Sequence, residues 1–336
     1  MKGKGVSLVS GLVVLAALVL PATLMAAPAP YYQGKVINLI VGYQAGGGND
    51  IVARVMAKHL PKHIPGNPAV VVQNMDGASG VIAANFVYNK TKPDGLTLFA
   101  TDRILATPQL FKVESVKYDL TKFSWIGSVS VVACCFYIRS SLPYKTFEEL
   151  KVMKPIYVGS SGATGIITQM AHLTKDYMGL NVKVVEHRTS TDVLLAMEQK
   201  ECDAVWSDIN AFRQFVDRGL LRPVARSAVV VKGIEHLPVD ADLTTDPTGK
   251  AIMGMFGKTG VVGRCYLATP GTPDNVMNIL REAFQKMLKD SETLADAKKI
   301  KLELQFTSAD ECLDAVKFLF NQPPEILKVY GKYVKF

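Results

Sequence analysis

Cysteine is scarce in this 336-residue sequence, and its five copies follow no pattern. Cys134, Cys135, Cys202, Cys265 and Cys312 are too few and too irregularly spaced for a disulfide framework or a zinc site, and the odd count leaves at least one thiol free or paired with another molecule. Cys134 or Cys135 can bridge to Cys265 if their strands lie side by side; otherwise the thiols pack as small hydrophobes. Histidine is as sparse. His59 and His63 stand four apart, but Pro61 between them breaks the helix that would align them as metal ligands. His172 falls inside a helix, so no metal is expected, and no cofactor. Basic clusters are missing too: the lysines are scattered, which argues against a nucleic-acid face. Beyond the N-terminus, no stretch is long and apolar enough to span a bilayer.

What is present begins with a targeting segment. Lys2 and Lys4 form a positive start, and Val6 to Leu20 is apolar apart from Ser7, Ser10 and Gly11. Pro21 breaks the helix, and small residues follow at Ala22, Ala26 and Ala27. That order reads as a secretory signal peptide over 1–27, cleaved from the mature chain. No cysteine lies near the cut, so no lipid attachment is expected there. The mature chain is expected to be a soluble monomer, periplasmic in a two-membrane bacterium. About 310 residues remain, enough for two domains at roughly 100–200 residues each. Subtracting Lys2 and Lys4 from the formal charge of +8 leaves +6, a mild bias toward anionic solutes.

Short apolar runs then alternate with amphipathic ones. Val36 to Val41 reads as a buried strand ended by a glycine-rich turn. Asn49 is placed to cap the next helix, whose apolar residues recur from Ile51 to Leu60 until Pro61 stops it. Strands are expected at Val70 to Val72 and Leu96 to Ala100, with a helix over Val81 to Tyr88 between them. Trp125 to Ile138 reads as one extended connector. The pattern restarts with strands at Ile156 to Val158, Val182 to Val185 and Ala204 to Trp206, each followed by a helix. Residues 233–250, rich in Asp, Pro and Thr, read as loop. A strand at Arg264 to Ala268 leads to a helix capped by Thr272 with Pro273 in its first turn, and a further strand is expected at Leu302 to Phe306. Strands alternating with helices imply α/β architecture with parallel sheets covered on both faces. Two such blocks, linked by an extended run out and another back, imply two lobes around a cleft: 33–134 with 262–336, and 135–261.

Two loops follow a strand and open a helix: Tyr43-Gln44-Ala45-Gly46-Gly47-Gly48-Asn49-Asp50, and Gly159-Ser160-Ser161-Gly162-Ala163-Thr164-Gly165. Ligands of open α/β sheets sit at such carboxyl ends of strands. Glycines let the backbone approach a ligand, and free N–H groups at a helix start favour an anion. Two such loops facing across a cleft can grip a carboxylate without an arginine. Sharper chemistries fail on detail. A P-loop needs Gly-Lys-Ser/Thr, and Gly48 is followed by Asn49 and Asp50. Gly159 to Ala163 nearly matches a nucleophile elbow, with Ala163 in the last glycine's place. A serine hydrolase using Ser161 would need a histidine, and neither His187 nor His236 stands in a recognisable context.

At these residues the chain resembles the extracytoplasmic substrate-binding proteins of tripartite tricarboxylate transporters, the Bug receptors. The motifs are Tyr32 to Val41, Gly46 to Arg54, Val70 to Gly80, Pro93 to Leu98, Gly159 to Gly162 and Ala268 to Pro273. Together, in this order, they cover nearly all of the mature chain. The resemblance implies a type II periplasmic-binding-protein fold, two lobes around a cleft joined by two extended connector strands. It implies a non-enzymatic receptor that delivers a small mono-, di- or tricarboxylate to membrane permease subunits; a sensor that presents the carboxylate to a signalling kinase is the competing reading. Tyr43 to Asp50 and Ser160 to Gly165 would hold one carboxylate, and Thr101, Arg103 and Asp208 would lie at the cleft. Asn49 stands where threonine is common, and Glu186 to Thr191 replaces the usual turn; Arg103 and Arg188 are then the expected cations for a second carboxylate.

Overall fold

Short apolar runs, most of them followed by an amphipathic stretch, fold here as strands and helices in the alternation that the sequence predicts. The computed structural model describes residues 29–161 and 166–334; the expected signal segment, 1–27, lies outside the described residues. The first lobe opens with β1 (Val36–Val41), α1 (Gly48–His59), β2 (Ala69–Asn74), α2 (Val81–Lys90), β3 (Thr97–Asp102), α3 (Ala106–Leu110) and β4 (Ser124–Ser128). The chain then builds a second lobe. It comprises β5 (Cys134–Arg139), β6 (Ile156–Ser161), α4 (Ile166–Tyr177), β7 (Val182–His187), α5 (Ser190–Glu198), β8 (Ala204–Asp208), α6 (Ile209–Asp217), β9 (Leu221–Arg226) and α7 (Pro247–Thr259). It returns through β10 (Arg264–Ala268), α8 (Asp274–Met287), α9 (Ser291–Lys299), β11 (Thr307–Ser308), α10 (Ala309–Phe320) and α11 (Pro324–Tyr330).

The strand orders are β11-β4-β10-β3-β1-β2 and β7-β6-β8-β5-β9. The sheets are mixed, not parallel throughout. β1 runs parallel to β2 and β3, but β10 is antiparallel to β3 and β4. In the second sheet β5 is antiparallel to β8 and β9. β5 and β10, which carry the chain into each lobe, run against their neighbours because each enters its new sheet from the opposite end; the short β11 (Thr307–Ser308) is antiparallel to β4 as well.

Several local expectations are corrected. The run from Trp125 to Ile138 is two strands, β4 and β5, separated where the chain crosses. β9 went unread because Pro223 interrupts it; the strand lies at a sheet edge, where proline is tolerated. α7 starts at Pro247, inside the stretch read as loop, and Asp246 caps it by accepting from Thr248 N and Gly249 N. Pro273, not Thr272, occupies the N-cap of α8, and Thr272 Oγ1 donates instead to Thr269 O. The late strand is Thr307–Ser308 rather than Leu302 to Phe306. All five cysteines are buried and free.

Apolar packing fixes the layers. Leu39, Val41, Met56, Leu280 and Phe284 share one cluster, which seats α1 and α8 on one face of the first sheet. A second cluster runs through both lobes: Phe99 and Trp125 belong to it, as do Phe136 and Trp206, with Met253 of α7 and Val316 of α10 between them. α10 packs on β4 and α7, and α11 packs on α7, so the C-terminal helices touch both lobes.

The two crossings run side by side and are bonded to each other. Val129 N donates to Arg264 O at 2.9 Å, Gly263 N to Ser130 O at 3.1 Å, and Val132 N to Gly260 O at 2.8 Å. Gly263 has no room for a side chain: a Cβ there would stand 2.3 Å from Ser130 O, a backbone atom that cannot swing aside. Gly263→Ala is therefore expected to destabilise the protein by about 1–3 kcal/mol through overpacking. Gly254→Ala on α7, where nothing lies within 4 Å of the new Cβ, is expected to be neutral or stabilising. Thermal melts of the two variants test the contrast.

Candidate functional site

A cavity of about 680 Å³ opens between the lobes. Its lining draws on the start of α1 (Asn49), the turn before α2 (Ala78, Ser79), the end of β3 and the turn after it (Asp102, Arg103), the start of α4 (Ile166, Gln169), α7 (Phe256, Thr259) and the start of β10 (Arg264). The starts of three helices, at Asn49, Val81 and Ile166, thus meet at one space. Each start leaves backbone N–H groups without intrahelical acceptors and carries the positive end of a helix dipole.

The α1 start is built by Asp50 from beneath. Asp50 is 1% exposed, and its carboxylate accepts from Gly46 N at 2.8 Å, Arg54 Nε at 2.9 Å and Asn74 Nδ2 at 2.8 Å. Burial pushes its pKa up, but the bonds from Arg54, Gly46 and Asn74 outweigh that and hold it below the ordinary value. The charge is thereby neutralised under the loop instead of facing the cavity. The Gly46 amide is spent on this internal bond, so it is not available to a ligand. The amides of Gly48, Asn49 and Asp50 have no protein acceptor among the described residues, and no side chain caps the helix, whose N-cap is Gly47. The expected cap, Asn49, lies in the first turn.

Asn49 has another task. Its Nδ2 donates to Asp102 Oδ2 at 2.8 Å, and its Oδ1 accepts from Arg264 Nε at 3.0 Å. Asp102 is fixed in turn by Ile104 N, which donates to Oδ1 at 2.9 Å. Arg264 therefore lies over the helix start, close enough that a Cβ on Gly48 would stand 3.8 Å from its Nη2. Neither Arg103 nor Arg264 has a carboxylate within ion-pair distance among the described residues. Asp208, which caps α6 by accepting from Asn210 N, faces both guanidinium groups from the second lobe. Burial raises its pKa, with Arg103 and Arg264 pulling the other way.

Asn49 and Arg103 are the expected residues that line the cavity. Tyr43 Oη and Thr101 Oγ1 are buried, and burial with the neighbouring Asp102 charge pushes the Tyr43 pKa up. Gln44 and Ala45 are exposed on the outer part of the first loop. Ser160 is buried and donates to Val185 O, and Ser161 Oγ lies 3.4 Å from Ser190 Oγ. Gly162, Ala163, Thr164 and Gly165 fall outside the described residues, although Ile166, the next residue in the chain, lines the cavity. Arg188 is exposed and takes no part in the lining.

A nucleophile finds no support here. Among the described residues Ser161 has no histidine partner; His187 Nε2 lies 3.4 Å from Cys202 Sγ, and His236 is exposed. Burial pushes Cys134, Cys135 and Cys312 up to about 12 and Cys202 to about 11, which keeps these thiols protonated at neutral pH. Buried His59 approaches Asp290 and exposed Glu292, but Lys62 Nζ already donates to both carboxylates.

Sequence reading missed Arg264, Thr259, Gln169 and the turn at Ala78 and Ser79. That last segment carried a signal, since Gly77 and Gly80 flank it. All four residues adopt positive φ: 136° and 91° at the glycines, 47° at Ala78 and 53° at Ser79. Left-handed backbone at a non-glycine residue costs roughly 1–3 kcal/mol and gathers at ligand sites. Nothing local marks Arg264.

Known proteins of similar sequence and shape point the same way. The model of the tripartite tricarboxylate transporter family receptor matches residues 52–317. A UPF0065 protein of Bordetella pertussis is 27% identical over 274 residues, covering 78% of this chain and 80% of the relative. The crystal structure of a TctC solute-binding protein from Polaromonas superposes with a TM-score of 0.73 at 21% identity, over 90% of this chain and 98% of that one. An R. palustris protein solved with adipate gives a TM-score of 0.56 at 21% identity, over 89% and 98%.

Proposed function

The chain belongs to the tripartite tricarboxylate transporter receptor family, and from that premise we propose that it binds a small organic carboxylate outside the cytoplasm and delivers it to the membrane subunits of such a transporter. The observation that carries this reading is Arg264 held by Asn49 over the uncapped start of α1, with no carboxylate in ion-pair contact with it among the described residues. A carboxylate placed there accepts from the Gly48 and Asn49 amides and from the guanidinium together, which are charge-assisted bonds about twice as strong as neutral ones. The adipate in the R. palustris structure is consistent with an acid as cargo.

Lobes 33–134 with 262–336, and 135–261, close on the ligand about the paired crossings. The start of α4 and Asp208 approach from the second lobe, while Arg103 supplies further positive charge. Closure follows from binding both walls at once, which shifts the population toward the state a permease reads.

A thermal-shift panel tests the reading. At a hundred times its Kd a ligand adds about 2.7 kcal/mol of stability, so the matching carboxylate raises Tm by several degrees. Its amide and methyl ester, lacking the charge, are expected to give no shift. Equal shifts from acid and amide would remove the anion from the argument.

A further inference from the structure

We infer that the acid this cleft takes is a monoanion with an apolar body, an arylalkanoate or cycloalkane carboxylate, and not a short dicarboxylate. The inference rests on the anion-receptor reading and narrows it. The space, about 680 Å³, falls in the range of roughly 300–1,000 Å³ that houses drug-sized ligands. A four-carbon diacid would leave most of it to water.

Among the described residues, charge is confined to one wall: the charged residues of the lining are Asp102, Arg103 and Arg264. They form one group: Asp102 and Arg264 both bind Asn49, and Arg103 follows Asp102 in the chain. The rest is largely apolar, including Ile104, Val113, Ile166, Phe256, Leu319 and Val334. Tyr330 completes that wall between Phe111 and Phe256, with ring centroids 5.6 and 5.4 Å away. No lysine, histidine or further arginine lines it among the described residues. A second carboxylate directed at that wall would lose its hydration without gaining a cation among the described residues, which opposes binding. An apolar ring would instead cover Ile104, which is 52% exposed while lining the cavity.

Calorimetric titration of the protein with 3-phenylpropionate, cyclohexanecarboxylate, succinate, adipate and 3-phenylpropionamide tests the inference. The two apolar monoacids are expected to bind at least tenfold tighter than either diacid, and the amide not at all. Ile104→Lys, at a position exposed enough to accept lysine without unfolding, is expected to weaken 3-phenylpropionate about tenfold and to strengthen adipate. Succinate or adipate binding as tightly as both monoacids overturns the inference and leaves the anion receptor standing. An amide that binds like its acid, or no binding by any acid at millimolar concentration, overturns the receptor reading and this inference with it.

Discussion

Arg264→Gln is expected to weaken binding of the cognate acid about a hundredfold while leaving the unliganded fold nearly as stable. Truncating one partner of a buried, hydrogen-bonded charge pair costs about 2–5 kcal/mol, and every 1.4 kcal/mol is tenfold in Kd. The guanidinium is half-buried and lies beside Arg103 in a cleft shared with Asp208. In the empty protein its removal forfeits one bond to Asn49, worth about 1 kcal/mol, and the attraction of Asp208 across the cleft. The loss therefore falls on the complex. Arg188→Gln, at an exposed position off the lining, is the matched control and is expected to change Kd less than twofold. Titration calorimetry on both variants, with melts of each, separates binding from folding. An Arg264→Gln protein that binds like the parent would show that the carboxylate sits elsewhere.

Asp50→Ala is expected to damage stability and binding together. The buried carboxylate gathers donors from Gly46, Arg54 and Asn74. Breaking such a charged cluster costs about 3–5 kcal/mol, reduced here toward 3 because Arg54 is half in solvent, with 52% of its side chain exposed. The corresponding drop in Tm is roughly 5–10 °C. Since Gly46 opens the turn that aims the α1 amides, affinity falls as well. Asp50→Asn keeps the volume but opposes one N–H donor with another, so it is expected to fall between wild type and alanine.

The pH dependence distinguishes the charge from the shape. The Asp50 pKa is lower in the folded protein than in the unfolded chain, because donors outweigh burial. Its stabilisation is fully present above the unfolded value of about 3.9 and disappears as pH falls through the lower folded value. Wild type and Asp50→Asn should therefore begin to converge in stability below about pH 4, finish converging only below the depressed folded pKa, and differ by a constant amount from about pH 5 to 7.

Much of the fold was legible because it is local. β10 was bounded as observed, from Arg264 to Ala268, since its apolar run ends sharply in Thr-Pro-Gly. The α1 stripe read from Ile51 to Leu60 holds at Val52, Met56 and Leu60, though Ile51 faces solvent, and the stop before Pro61 follows from the missing proline donor. β9 was illegible for the opposite reason: Pro223 signals a break, and only the edge position makes it harmless. Asn49 and Thr272 illustrate a subtler limit. Both have side chains suited to capping, yet each found a stronger partner, Asp102 with Arg264 in one case and Thr269 O in the other.

The sequence by itself determined the alternating elements, the glycine turns that free helix-start amides, and the family, because each depends on residues within a few positions of one another. Tertiary structure alone decided which cation serves the first loop. Arg264 lies 215 residues from Asn49, and reaches it because β10 re-enters the first sheet antiparallel to β3, in the register that sets Arg264 opposite Asp102. It likewise decided that Asp50 faces inward and Arg188 outward, since the direction of a charge is set by donors and neighbours that only folding brings together.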